Sequence, residues 1–337
     1  MNRFADMGVL AFRQTNSRGT FKPHLAVKFR ADDENLCTFS IDSTRLPNKQ
    51  PQPDAYLVTH AHSDHNGKSA MLSDLSVSTE KTAKALEIRH DRDFKGRTVA
   101  CGDSIDINGV TVKTYQTGHT AGAVGFYWVN DVGTRILVTG DVKDASALPK
   151  CDVLITEANY GDHSDPSCHF EDDLEGFRNV MECGSQVAFG AYAFGKAQRA
   201  VELLRGIGYH GTIAMEEKSL LLTRSLVDNA GDIVAIGECD EDEVCIVPPW
   251  DFKKLPHSMK KYVLTGRLDY SYPALQVSDH LDANGLAKMV EDIDPELTIV
   301  YHPSGERPEK FASYLNSVGR EAVSLDQVSN VLSNEFL

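Results

Sequence analysis

Residues 58–67 read VTHAHSDHNG, and His60, His62, Asp64 and His65 crowd into six of those positions. The run continues AYLV, an apolar stretch, so His60 falls at the end of a strand. In extended backbone, residues two apart share a face, which lets His60 and His62 reach one ion from one side. Asp64 and His65 follow where the chain must turn, and face a second ion. Imidazole nitrogen and carboxylate oxygen suit zinc at about 2.0–2.2 Å, and manganese or iron takes the same donors. One cluster cannot fill two coordination spheres, so other strand ends must be brought to it.

Three such ends lie downstream. His119 follows VTVKTYQ, Asp141 follows RILVTG, and His302 follows LTIVY. Asp141 is the natural bridge, because a carboxylate offers two oxygens and an imidazole one free nitrogen. Two ions about 3.5–4 Å apart would clamp a phosphoryl group and lower the pKa of a water between them. Asp42, in SIDSTRL, also ends a strand and is expected to support the ligands rather than bind.

The wider pattern frames these ends. HLAVKF, CTFSID, AYLVTH, VTVKTYQ, VGFYWV, RILVTGD and DVLITEA read as short strands, interrupted by one helix around TEKTAKALEIR. Strands with so few helices predict antiparallel sheets packed on each other. From about residue 170 the pattern becomes strand–helix alternation (QVAFGAY, GKAQRAVELLRGIG, GTIAM, EEKSLLLTRSLVDNAG, DIVAIG), which predicts a small parallel sheet in an inserted unit. The expected divisions are 1–172, an insert at 173–268, and 269–337. The chain carries 49 acidic against 34 basic residues, a net charge of −15. That argues against a passive nucleic-acid-binding module, but leaves room for an enzyme whose bound metals reverse the local sign. Seven cysteines without a CxxC pair, no signal-peptide pattern, and no run near the roughly 18 apolar residues of a membrane span predict a cytoplasmic protein.

Asp42, HAHSDH at 60–65, His119, Asp141 and His302 stand in the order of the metallo-β-lactamase fold, which this chain resembles. Three further stretches resemble its β-CASP nuclease branch: VLITEANYGD with Glu157, VSDHLDANGL with His280, and GAYAFGKAQRAVELL with Lys196. The resemblance implies an α/β protein, an αββα metallo-β-lactamase sandwich with an inserted small α/β cap of the β-CASP type. It implies two zinc ions: one on His60, His62, His119 and Asp141, the other on Asp64, His65, Asp141 and His302. Asp64, His280 and Glu157 become the catalytic residues, His280 contacting the scissile phosphate and Glu157 bonding to it; a carboxylate beside the ring favours the imidazolium that donates a proton.

Lys196, at a helix start, and Tyr192 before it are candidates for nucleic-acid contact, with Tyr160 and Arg199 behind them. The expected activity is hydrolysis of phosphodiester bonds in single-stranded DNA or RNA. DNA is favoured because the small cap, GAYAFGKAQR and SDH resemble prokaryotic DNA-ligase-associated exonucleases; RNA processing of the mRNA 3′-end type is the alternative. A small-molecule metallo-hydrolase would explain the ligands but not the insert or the Glu157–His280 pair. No membrane partner is expected; a homodimer or a repair or processing complex is.

Overall fold

The structure, a computed structural model, describes residues 2–15, 20–32, 35–43, 52–65, 69–182, 186–238, 244–266, 271–302 and 305–335. The chain divides into two compact units. One comprises Met1–Leu86, Arg92–His169 and His280–Leu337; the other comprises Glu87–Asp91 and Phe170–Asp279. Among the described residues, no helix is long and apolar enough to cross a membrane.

The first unit holds two sheets. One runs β1 (Val9–Thr15), β2 (Phe21–Arg30), β3 (Leu36–Ile41), β4 (Ala55–Leu57), β5 (Ser76–Thr79) and β6 (Arg97–Val99), in that order. The other runs β19 (Ala322–Ser324), β18 (Leu297–Val300), β11 (Val153–Thr156), β10 (Arg135–Val138), β9 (Val124–Val129), β8 (Val110–Gln116) and β7 (Ser104–Ile107). Their facing sides share one core, centred on Phe29, Phe39 and Trp128, with Phe39 edge-on to its neighbours at 4.9 and 5.2 Å. Each buried Phe of this kind contributes roughly 1.5–3 kcal/mol of apolar burial. Residues of β11 alternate as strand geometry requires. Val153 and Ile155 enter that core, while Leu154 turns to the opposite face and joins Leu286 and Met289 of the helix Ala283–Ile293 and Phe311 of the helix Arg307–Ser317.

Both sheets are mixed, which corrects the antiparallel expectation. β3–β4, β4–β5 and β5–β6 are parallel, as are β10–β11, β11–β18 and β18–β19. Pairing of β11 with β18 joins segments on either side of the second unit, and nothing local in the sequence signals a partner so distant. Strand β1 lies outside the expected strands, because its alternation of Val9 and Ala11 is broken by Arg13. That guanidinium is buried where it bonds to Asp326 and to the carbonyl of His302.

The second unit is one sheet ordered β14 (Ile233–Ala235), β13 (Ile213–Met215), β15 (Val244–Val247), β12 (Val187–Gly190), β16 (Lys260–Thr265) and β17 (Ala274–Gln276). Every pairing in it is parallel. The helices Lys196–Gly206 and Glu217–Leu226 connect its strands, and their apolar faces carry Val201, Leu204 and Leu220 into its core. The ALQ of β17 belongs here, paired to β16, rather than with the strands that follow it. The sandwich and the separate α/β unit are the fold class expected from the sequence.

Candidate metal centre

In the first sheet β3 and β4 run parallel; in the second, β8 and β10 run in the same sense because β9 is antiparallel to both. β11 and β18 continue that sense. The carboxyl ends of these strands therefore carry Asp42, His60, His119, Asp141, Glu157 and His302. This is why donors far apart in sequence meet.

His60, His62, His119 and Asp141 each place one ligand atom within 4.8 Å of the others. His119 Nε2 lies 2.9 Å from His62 Nδ1, and Asp141 Oδ2 lies 3.5 Å from His119 Nε2 and 3.6 Å from His60 Nε2. His65 joins them, its Nε2 3.3 Å from the same Asp141 oxygen.

The rings are aimed by residues behind them. Thr59 Oγ1 donates to Asp42 Oδ2 at 2.7 Å, so it accepts from Nδ1–H of His60 at 3.0 Å. His65 Nδ1 donates to the same Asp42 oxygen at 3.2 Å, and the Thr59 amide donates to the other at 2.8 Å. Both histidines thus turn Nε2 inward, and His60 is held in the tautomer that ligates. Asp42 sits at φ +50°, a left-handed conformation that Asp tolerates. At Gly140, φ +61°, a Cβ would lie 2.4 Å from Thr59 Oγ1, so only glycine leaves room for this relay.

These atoms fit a divalent cation. His60 Nε2, His65 Nε2 and Asp141 Oδ1 are buried and have no hydrogen-bond partner. Each orphaned buried polar atom costs about 1–3 kcal/mol, a penalty that a shared cation would remove. Burial holds the His60 pKa well below its usual value, which keeps the ring neutral and able to ligate. Burial opposes ionisation of Asp141 too, but His65 and the neighbouring rings outweigh it and hold the carboxyl well below the usual carboxylate range. For His65 burial again opposes charge, and Asp141 and Asp42 outweigh it, raising its pKa well above the usual value.

The remaining predicted ligands are held differently. Asp64 is 59% exposed, its Oδ2 3.9 Å from His65 Nε2. His302 is half-buried and is not in a donor set with the others. Its carbonyl accepts from Arg13, and the preceding Tyr301 amide donates to Thr156 at 2.8 Å.

Beside the cluster, His280 Nδ1 donates to both oxygens of the Glu157 carboxylate, 3.1 Å each. Glu157 is buried and fixed by the amides of Val142 (2.6 Å) and Asn159 (3.2 Å). His280 Nδ1 stands 3.9 Å from Asp141 Oδ2. The amide of Leu281 donates to the carbonyl of Val142 at 2.8 Å, tying the two ligand-bearing segments together. Asp282 caps the helix that follows by accepting from Gly285 at 2.7 Å, so His280 is not needed as a cap. Although Asp141, Glu157 and His280 also form a donor set, the carboxylate and ring already satisfy each other. Sequence reasoning missed two supporting residues, Thr59 and Asn159. Asn159 Nδ2 lies 2.9 Å from His280 Nε2. The only signal for either was adjacency, to His60 and to Glu157.

In the second unit, Lys196 Nζ donates to the Val277 carbonyl (3.1 Å) and to Asp279 Oδ2 (3.2 Å), so a phosphate there competes with a carboxylate. Arg199 pairs with Asp172. Tyr192 is half-exposed, its ring centroid 5.8 Å from that of Trp250. In the first unit Tyr160 lies 6.0 Å from His280, with Arg307 over its ring.

No family model matches the chain. It is 27% identical over 180 residues to Endoribonuclease ysh1 of Emericella nidulans, covering 44% of this chain and 20% of that one. It is 26% identical over 204 residues to an RNase J-like protein of Methanocaldococcus jannaschii, covering 50% and 47%. With Cleavage and polyadenylation specificity factor 73 of Drosophila melanogaster it shares 30% over 152 residues, covering 40% and 22%. The matched part is thus less than half the length of each of these relatives. A crystal structure of a protein of unknown function from Enterococcus faecalis V583 superposes with a TM-score of 0.63 over 93% of this chain and 96% of that one, at 12% identity. At that identity the likeness concerns the fold alone.

Proposed function

Because this chain belongs to the β-CASP family of the metallo-β-lactamase fold, we propose that it is a metal-dependent phosphodiesterase that cuts RNA. The observation that carries the reading is the convergence of His60 Nε2, His65 Nε2 and Asp141 Oδ1, buried without partners, beside a histidine already paired with a carboxylate.

His60, His62, His119 and Asp141 would hold one divalent ion, and His65, Asp64 and His302, with Asp141 shared, a second. Zinc suits these donors and manganese is the alternative. Ions bound there supply Lewis acidity to a phosphoryl oxygen and lower the pKa of a water. The chain's own residues do the rest. Glu157 holds the Nδ1 proton of His280 and fixes the ring plane. Nε2 is then the end that hands a proton to the departing oxygen. Asn159 meets that nitrogen with its amide, and a half-turn of the amide exchanges a donor for an acceptor. Asn159 thereby holds the ring in place whether or not Nε2 carries its proton.

RNA is favoured by the relatives' names: an endoribonuclease, an RNase J-like protein and a cleavage and polyadenylation factor. The DNA preference drawn from GAYAFGKAQR finds no support among them. The test is purified protein loaded with zinc or manganese, given matched single-stranded RNA and DNA labelled at either end. Faster cleavage of RNA is expected. Cleavage of DNA alone would overturn the substrate, and failure to cut either would overturn the activity.

A further inference from the structure

The second unit carries an exposed aromatic pair at the carboxyl ends of two adjacent parallel strands of its sheet. β12 and β15 are parallel neighbours. The chain leaves β12 through the helix Lys196–Gly206 to reach β13, beyond β15; it leaves β15 through the turn Pro249–Lys254 to reach β16, beyond β12. The exits run in opposite directions from adjacent carboxyl ends. In open parallel sheets that is where ligands lodge.

Tyr192 lies just past β12 and Trp250 just past β15. Trp250 is 61% exposed and Tyr192 46%, with their ring planes inclined at 37°. A tryptophan so placed forgoes much of the burial that large aromatic side chains otherwise gain. Nor is it on a loose loop. Phe252, two residues on, is fully buried and packs against Gly190 so closely that a Cβ there would lie 2.7 Å from its ring. The same turn continues with Lys253 and Lys254, in a chain of net charge −15. Lys253 is exposed, while Lys254 pairs with Asp251.

We propose that Trp250 and Tyr192 form a stacking shelf for the bases of single-stranded RNA, with Lys253 meeting its phosphates. The inference rests on the RNA reading above and names a binding site for it within the second unit. Bases stack on aromatic faces without sequence preference, and a lysine in the same turn attracts the backbone. Exposed aromatic rings with a lysine in the same turn suit a strand with unpaired bases better than a duplex, whose bases are stacked already.

The chain's two tryptophans make the test direct, because Trp128 is fully buried and Trp250 is not. Metal-loaded protein is titrated with phosphorothioate-linked oligouridine, which resists hydrolysis, and with the deoxy counterpart. Oligouridine should quench the exposed tryptophan emission. Trp250→Ala should weaken binding, read by anisotropy of a labelled oligonucleotide, by about 5- to 10-fold, and Trp250→Phe should restore most of it. Binding that leaves the emission unchanged, or equal affinity in wild type, W250A and W250F, would overturn the shelf. Tighter binding of the deoxy oligomer would overturn the choice of RNA. A blue shift on concentrating the protein alone would assign the shelf to a second copy of the chain instead. If wild type cuts RNA and W250A binds it undiminished, only the shelf fails. If oligouridine quenches Trp250 and nothing is cut, only the proposed activity fails.

Discussion

His60, His62, His119 and Asp141 differ from Asp64 and His302 in how they are held. The first four converge within 4.8 Å and are buried or nearly so. Of the other two, Asp64 is mostly exposed and His302 is half-buried, outside the donor sets. The difference lies in what stands behind each side chain. Asp42 and Thr59 orient His60 of the first half and His65 of the second, but the second half also needs Asp64, which is mostly exposed, and His302, whose carbonyl is held by Arg13. A preorganised set binds with little further ordering, and a loosely held one completes itself only with the ion. Occupancy of the two halves should therefore be unequal.

The largest effect is expected where the halves share a residue. Asp141→Ala should reduce kcat/KM on RNA by on the order of 10³-fold or more, and metal content by mass spectrometry should fall close to zero. His119→Ala should strip metal nearly as fully, while His302→Ala should leave the His60–His62–His119 ion in place. Equal loss of metal in the last two variants would erase the distinction between the halves.

Next comes a residue outside both sets. His280→Ala should lower kcat by about 10²-fold with metal content unchanged. A parallel loss of metal would make His280 a ligand instead of a proton donor. The relay should matter less than the ligands it aims. Asp42→Ala or Thr59→Val should weaken zinc affinity by about 10- to 100-fold, measured by competition with a chelator; unchanged affinity in both would mean the rings need no support.

The smallest effect tests what burial does to a histidine that has no converging donors. His24 is buried on β2 with an unpartnered Nδ1, and burial, with Lys22 and Arg13 nearby, lowers its pKa to about 4. A folded-state pKa below the unfolded value means that its neutral form is the one the fold favours. Stability is then full above about 6.5 and declines as pH falls toward about 4, by on the order of 2–3 kcal/mol from this group. Urea unfolding of His24→Phe across that range should show a shallower decline than wild type. Identical slopes would show that His24 does not titrate this way.

Much of the site was legible because its donors follow strand ends, and strand ends leave a local signature of apolar run followed by Gly, Thr or Pro. His119 and Asp141 were found on that basis, and the structure brings them to His60. What was not legible depends on three-dimensional neighbours. Nothing in EANYG says that Asn159 will meet His280, and nothing in VTH says that Thr59 will relay Asp42 to His60. The fold divided similarly. The β-branched and aromatic runs of β8 and β9 marked strands, but the parallel pairing of β11 with β18 joins segments that the whole second unit separates. Strand β1 was hidden by Arg13, an inward charge that only its partners on the helix Leu325–Glu335 and at His302 explain.

The most direct measurement is anomalous scattering at the zinc edge from crystals of the metal-loaded protein. A strong peak is expected within bonding reach of the His60, His62 and His119 ring nitrogens and an Asp141 oxygen, stronger than any peak near Asp64 and His302. An empty His60–His119 cluster, or a stronger peak elsewhere in the molecule, would contradict the proposed metal centre.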